Sequence, residues 1–217
     1  ASPGAGDDGI AVVIAIESIR SLTKAPPPPQ TSPIMFLFNN GEELGLLGTH
    51  GFVKQFPHLV RSCGAFINLE AAGTYGPESL FQVSPTAPWL IEQYAASAPY
   101  PRGSIVAQDL FQAGVIPSDT DFRVFTREGN LSGIDMALYR NGYFYHTPKD
   151  AFEHISPGTL QHFGGNILSL LRQILFSGSS YLRKSSSECF QEESRQILTK
   201  TTYFDVGGVF MIYYSAE

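Results

Sequence analysis

The chain has 217 residues, 43% of them hydrophobic and 16% charged, which suits the core of one globular domain. Its net charge of -6 excludes the broad basic face with which proteins neutralise nucleic-acid phosphates, so no nucleic-acid partner is expected. Two cysteines, Cys63 and Cys189, exclude a disulfide scaffold and a cysteine-based zinc knuckle, though they leave room for a single bridge.

In chain order, the opening ASPGAGDDG has no Met, no basic stretch and no apolar run, so it reads as the interior of a longer sequence and not as a signal peptide. Residues 10–22 place Val12, Val13, Ile16 and Ile19 at helical spacing, with Asp7-Asp8 just ahead, where a helix N-terminus favours negative charge. Pro26-Pro27-Pro28-Pro29 lacks backbone donors and predicts an exposed polyproline-like connection. The apolar run 34–38 predicts a buried strand, which opens through Asn39-Asn40-Gly41 into a helix over 42–56. Further strands are expected at 65–69, 80–83 and 136–139. Helices are expected at 88–96, 105–112 and 160–175, the last amphipathic through Leu160, Ile167, Leu168, Leu171 and Ile174. Strands alternating with helices predict an α/β fold with a mostly parallel central sheet flanked by helices. Past Ser177 the Ser-rich, charged SGSSYLRKSSSECFQEESRQ predicts a solvated connector, so the compact domain is expected to end near Phe176. The terminal YFDVGGVFMIYYSAE holds an apolar run shorter than the ~20 residues of a bilayer span, and by composition alone it reads as a core strand.

In open α/β sheets, sites form beyond the carboxyl ends of the strands. Four polar clusters fall at such places or at a helix start. Glu42-Glu43 follows the 34–38 strand, Glu70 ends the 65–69 strand, Asp7-Asp8 opens a helix, and His146 follows the 136–139 strand. Each alone has an ordinary explanation as a capping acid or a hydrogen-bonding imidazole. Together they are an oxygen- and nitrogen-rich donor set suited to divalent zinc. No HExxH, GxSxG, Walker-type or GxGxxG motif offers a competing chemistry. Adjacent glutamates can divide the two tasks of metal-assisted hydrolysis, one holding the cation and the other taking a proton from a water that the cation has acidified.

The segments SPGAGDDG, FLFNNGEELGLLGTHGF, AFINLEAAG and NGYFYHTPKD, in this order, resemble the zinc peptidase family of bacterial leucyl aminopeptidase and glutamate carboxypeptidase II. With SDTDFRVF, NLSGIDMAL and YFDVGGVFMIYY they look like its endoplasmic reticulum metallopeptidase branch. The resemblance covers nearly the whole chain. It implies a phosphorylase/hydrolase-like α/β fold, two Zn2+ ions in the full-length protein, and hydrolysis of a peptide substrate by an exopeptidase of the aminopeptidase type.

Position by position, the resemblance makes Asp7 the carboxylate bridging two zinc ions and Asp7-Asp8 a cis peptide. It makes Glu42 the general base, Glu43 and His146 ligands of one zinc, Glu70 a ligand of the other, and Tyr145 a hydrogen-bond donor to the oxyanion. A packed aromatic in a Tyr-Phe-Tyr run is the other reading of Tyr145. Family members carry a His in an HxD motif upstream of the bridging Asp, so the second zinc site is expected to be incomplete here and the fragment inactive on its own. His50, His58, His154 and His162 stand in no matching context. Asp119 and Asp121 read as solvated or capping carboxylates.

The branch also implies an endoplasmic reticulum membrane location with a luminal catalytic domain, which fits the glycosylation sequon Asn130-Leu131-Ser132. It shifts the expected organisation to a catalytic domain over 1–176, a polar tether over 177–202 and the start of a membrane span over 203–217. Two alternatives share the fold: a single-zinc acyl transferase like the glutaminyl cyclases, and a metal-free binding ectodomain.

Overall fold

The structure is a computed structural model that describes residues 2–28, 31–116, 118–176 and 201–215. Three strands form the central sheet: β1 (Phe66–Ala71), β2 (Ser79–Val83) and β3 (Gly133–Leu138). Their order is β1-β3-β2, with β1 parallel and β2 antiparallel to the central β3. The α/β class therefore holds, while the sheet is mixed and not largely parallel. Ile134, Met136 and Leu138 of β3 have no exposed surface, and neither has Asp135 on the opposite side, so both faces of the sheet are covered.

On one face, α1 (Ile10–Lys24) and α7 (Pro157–Phe176) pack against each other, and α4 (Pro88–Ser97) packs against α7. Helix α1 buries Ile10, Ile14, Ser18 and Leu22, a spacing of four that keeps one face toward the core. The apolar residues that announce this helix in the sequence, Val12, Val13, Ile16 and Ile19, lie instead on its outer side, each at least 37% exposed. A helix apolar all round does not say which side is inward. Helix α7 buries Phe163, Ile167, Leu170, Leu171 and Leu175, and each such side chain contributes about 1.5–3 kcal/mol by leaving water.

Three short helices complete the outer layer: α2 (Leu47–Gln55), α3 (Pro57–Ser62) and α6 (Asp121–Arg127). Helix α6 packs on β3 and α2 packs on α6. Aromatic contacts join α2 to α6, with Phe52 6.3 Å from Phe125, and α6 to β1, with Phe66 5.5 Å from Phe122 and 5.0 Å from Phe125 between ring centroids. Gly133 permits this approach, because a Cβ there would lie 2.4 Å from the Phe66 ring.

Two sequence expectations fail locally. Residues 34–38 run as an extended segment without a ladder partner among the described residues; Ile34 and Phe36 face the core while Met35, Leu37 and Phe38 are exposed. The alternation is that of a strand, but its backbone groups pair with no neighbouring strand among the described residues. The helix expected over 42–56 begins only at Leu47, because Gly41, Gly45 and Leu46 all adopt positive φ and turn the chain before it.

The expected membrane span over 203–217 is also corrected. Strands β4 (Thr201–Val206) and β5 (Phe210–Ser215) form an antiparallel hairpin that packs on α5 (Ile105–Gln112) and α4. Tyr203 and Met211 are buried, and Asp205 accepts from the backbone N–H of Gly103 at 3.2 Å and pairs with Arg102 at 3.3 Å. No helix among the described residues is long and apolar enough to cross a membrane. The alternation of Tyr203 and Met211 with outward Phe204 and Ile212 is the strand periodicity that composition alone had pointed to. The tether expected over 177–202 falls largely, and Cys189 wholly, outside the described residues.

Candidate metal centre

Asp7 is held by backbone fixed from a distant part of the chain. Asp150, 1% exposed, accepts the N–H of Gly6 at 2.7 Å and of Asp7 at 3.1 Å, while its own carbonyl accepts the N–H of Ala5. Gly6 is required there: a Cβ would lie 2.7 Å from the Asp150 carboxylate and 2.9 Å from the Gly73 carbonyl. The Asp7-Asp8 peptide is cis, as the family resemblance implied.

Glu42 and Glu43 sit in the tight turn ahead of α2, whose closure uses the Glu42 carbonyl as acceptor for Gly45 and Leu46. His146 lies in the loop after β3 with φ of 60°, a left-handed conformation rare outside glycine and found disproportionately at functional sites. The Tyr145 ring stacks on its imidazole at 3.6 Å between centroids. Glu70 closes β1, where Asn68 Nδ2 donates to its Oε1 at 3.0 Å.

These segments converge. His146 Nε2 hydrogen-bonds Glu43 Oε1 and lies 3.4 Å from Asp7 Oδ2. One ligand atom from each of Asp7, Glu43 and His146 falls within 4.8 Å of the others, the only such trio found among the described residues. Glu70 stands outside that trio, among Asp8, Asp135 and Glu42.

Electrostatics sharpen the reading. Burial, then the hydrogen bond and charge of Glu43, push Asp7 up to about 7. Burial, then Glu43, Asp121 and Asp7, push Glu42 up to about 7. Asp8 and Glu70 are driven well above the carboxylate range by burial and by neighbouring acids, and one Asp8 oxygen is buried without a partner. Burial and four nearby carboxylates raise Tyr145, so its phenol stays protonated and able to donate. Several acids crowding one imidazole are poorly satisfied by protein groups alone, and two carboxylates with one imidazole nitrogen fit the ligand chemistry of zinc.

The remaining histidines lie elsewhere. His50 pairs with Glu128 at 2.9 Å, His154 stacks on Phe144, His58 lies edge-on to Phe56, and His162 pairs with the buried Glu78 at 2.7 Å. The solvated reading holds for Asp119, which is partly exposed and paired with Arg123, and fails for Asp121. Asp121 is 5% exposed and accepts from Asn39 Nδ2 at 2.6 Å, three residues before Glu42. The sequence reading named Asp121 in another role and missed Asp150 and the fully buried Asp135. All three lie inside the segments SDTDFRVF, NLSGIDMAL and NGYFYHTPKD that carry the family resemblance, and that was the available signal.

Residues 1–171 match the model of peptidase family M28. Endoplasmic reticulum metallopeptidase 1 of Rattus norvegicus is 43% identical over the whole chain, and the human protein of that name is 40% identical. The chain spans 23% of the length of each of these relatives. A vacuolar membrane protease of Metarhizium robertsii is 38% identical over 73% of the chain and 15% of its own length. Among solved structures, the aminopeptidase from Aneurinibacillus sp. strain AM-1 superposes with a TM-score of 0.60 at 19% identity, over 81% of this chain and 40% of that one. The zinc aminopeptidase BSAP from Bacillus subtilis gives 0.56 at 22% identity, over 83% and 44%. These two likenesses establish the shared fold. The chain belongs to peptidase family M28.

Proposed function

We propose that this chain forms the core of a zinc-dependent metallopeptidase that removes residues from peptides as an aminopeptidase, with Glu42 as general base. The observation that carries this reading is the convergence of Asp7, Glu43 and His146 on one point, with Glu42 beside them and outside the trio. Asp7, Glu43 and His146 would hold one zinc, and Glu70 with Asp7 would hold a second in the full-length protein. Bound zinc would acidify water and polarise the scissile carbonyl. Glu42, poised near neutral pH and not part of the donor trio, takes a proton from the attacking water and passes it to the leaving amine. The protonated phenol of Tyr145 donates to the carbonyl oxygen as negative charge develops there. The surrounding carboxylates favour a substrate's protonated amino terminus.

Relatives named endoplasmic reticulum metallopeptidase and vacuolar membrane protease support a location at the endoplasmic reticulum membrane, where this domain would face the lumen. Asn130, exposed and at φ of 52° in its sequon, is open to glycosylation. Residues 177–202 would tether the catalytic domain to the remainder of the full-length protein. One observation favours a second reading: a single donor trio, with Glu70 apart, is also what a one-zinc acyl transferase of the glutaminyl-cyclase type requires.

The deciding experiment assays the full-length protein with aminoacyl reporters and with a peptide bearing N-terminal Gln, alongside Glu42→Gln. Release of the amino acid, lost in Glu42→Gln with zinc retained, supports the peptidase. Cyclised product without hydrolysis supports the transferase, and full activity in Glu42→Gln removes Glu42 from the role of base.

A further inference from the structure

A polar ladder crosses the interior of the sheet and ends on Glu70. Asn68 of β1 and Gln82 of β2 both lie opposite Asp135 of β3 in the strand register, so the three stand in one row. Asp135 has no exposed surface. Its Oδ1 accepts from Asn68 Nδ2 at 3.0 Å, and its Oδ2 accepts from Gln82 Nε2 at 3.0 Å and from the Thr120 hydroxyl. Asn68 Nδ2 also donates to Glu70 Oε1 at 3.0 Å. Asn68 and Glu70 are two residues apart on a strand and so project to the same side. One amide thus spans two carboxylates, and the root of the chain is Thr120, where α6 begins.

A buried carboxylate is an expensive way to fill space, because replacing buried ionic groups with apolar ones of similar volume is often neutral or stabilising. Asp135 is instead provided with three donors, and Asn68, the donor it shares, is the one that orients Glu70. The residue next to Thr120, Asp121, accepts from Asn39 ahead of the Glu42 turn. The start of α6 therefore supports both acidic segments of the centre.

We propose that Asn68 and Asp135 are positioning residues that, anchored by Thr120, fix the Glu70 carboxylate in the direction needed to ligate zinc. The inference rests on the metallopeptidase reading, in which Glu70 is a zinc ligand. Without the ladder, Glu70 would be free to turn back into the sheet, and zinc binding would have to order it first.

The test is zinc affinity of the full-length protein by chelator competition, measured for wild type, Asn68→Leu, Thr120→Val and Thr120→Ser, with melting of each metal-free form. Asn68→Leu is expected to lose about ten- to hundredfold in zinc affinity, the range seen for groups that orient metal ligands. Thr120→Val should lose less, and Thr120→Ser, which keeps the hydroxyl, should recover wild-type affinity. Glu78→Gln, in a buried network away from the centre, should lower melting and leave zinc affinity unchanged. Wild-type affinity in Asn68→Leu would overturn the proposal. Should that variant not fold, equal affinities in Thr120→Val and wild type would overturn it. A wild type that binds no zinc would sink the metallopeptidase reading itself, and this inference with it.

Discussion

A fully buried acid and a partly exposed cluster of acids in this domain are built in opposite ways. Glu78, with no exposed surface, is met by His162 at 2.7 Å, Asn166 at 2.6 Å and the Tyr94 hydroxyl at 3.4 Å, a donor set that ties the start of β2 to α4 and α7. Asp7, Glu42 and Glu43 face one another, with His146 as the one imidazole among them. The first group is satisfied by protein donors and holds the fold together. In the second, acids stand beside other acids with few protein donors between them, and a divalent cation would relieve them. The donors around Glu78 thus mark an acid that serves the fold, whereas the facing acids mark the proposed metal centre.

The largest effect that sharpens this contrast is on turnover. Glu42→Gln keeps shape and removes the base, and should lower peptide hydrolysis by about 10²- to 10⁴-fold with zinc content unchanged, read by steady-state kinetics and metal analysis. On the architectural side, Glu78→Ala strands His162 and Asn166 and should cost about 3 kcal/mol or more, lowering Tm by on the order of 10 °C. Zinc affinity should not move. A drop in zinc affinity with Glu78→Ala would break the separation.

A smaller effect arises from protons. Asp7 and Glu42 titrate near pH 7 in the folded chain, above their ordinary values of 3.8 and 4.5. The folded state therefore retains protons that the unfolded chain has already released, so the metal-free domain loses stability as pH rises from about 4 to about 7. Zinc, bound as proposed, would take the place of the Asp7 proton. Thermal melts should show metal-free Tm falling across that window, and the Tm increment from added zinc growing across it. The smallest expected effect is at the exposed Glu17–Arg20 pair on α1, where Glu17→Ala should leave both Tm and zinc affinity within error.

Much of the domain was legible in the sequence where periodicity and chemistry agree. The strands at 66–71 and 79–83 and the helices α4, α5 and α7 lie where apolar patterning puts them, while β3 starts three residues ahead of the expected 136–139. Legibility failed where long-range context decides. The α1 pattern did not distinguish its inner face from its outer one, because both are apolar. The hairpin at 201–215 follows strand periodicity, whereas the family resemblance implies a membrane span there. For the centre, motif order pointed to Asp7, Glu43 and His146, which the fold brings together. It did not point to Asp135 or Asp150, because a buried acid can be recognised only once its donors, Asn68 and Gln82 or the Gly6 and Asp7 amides, are in place.

The most direct test of the account is zinc binding to the full-length protein by calorimetry, wild type against His146→Ala. The account predicts at least one tightly held zinc in wild type and a loss of about a hundredfold or more in affinity when the imidazole is removed. Equal zinc affinity in the two proteins, or none in wild type, would contradict it.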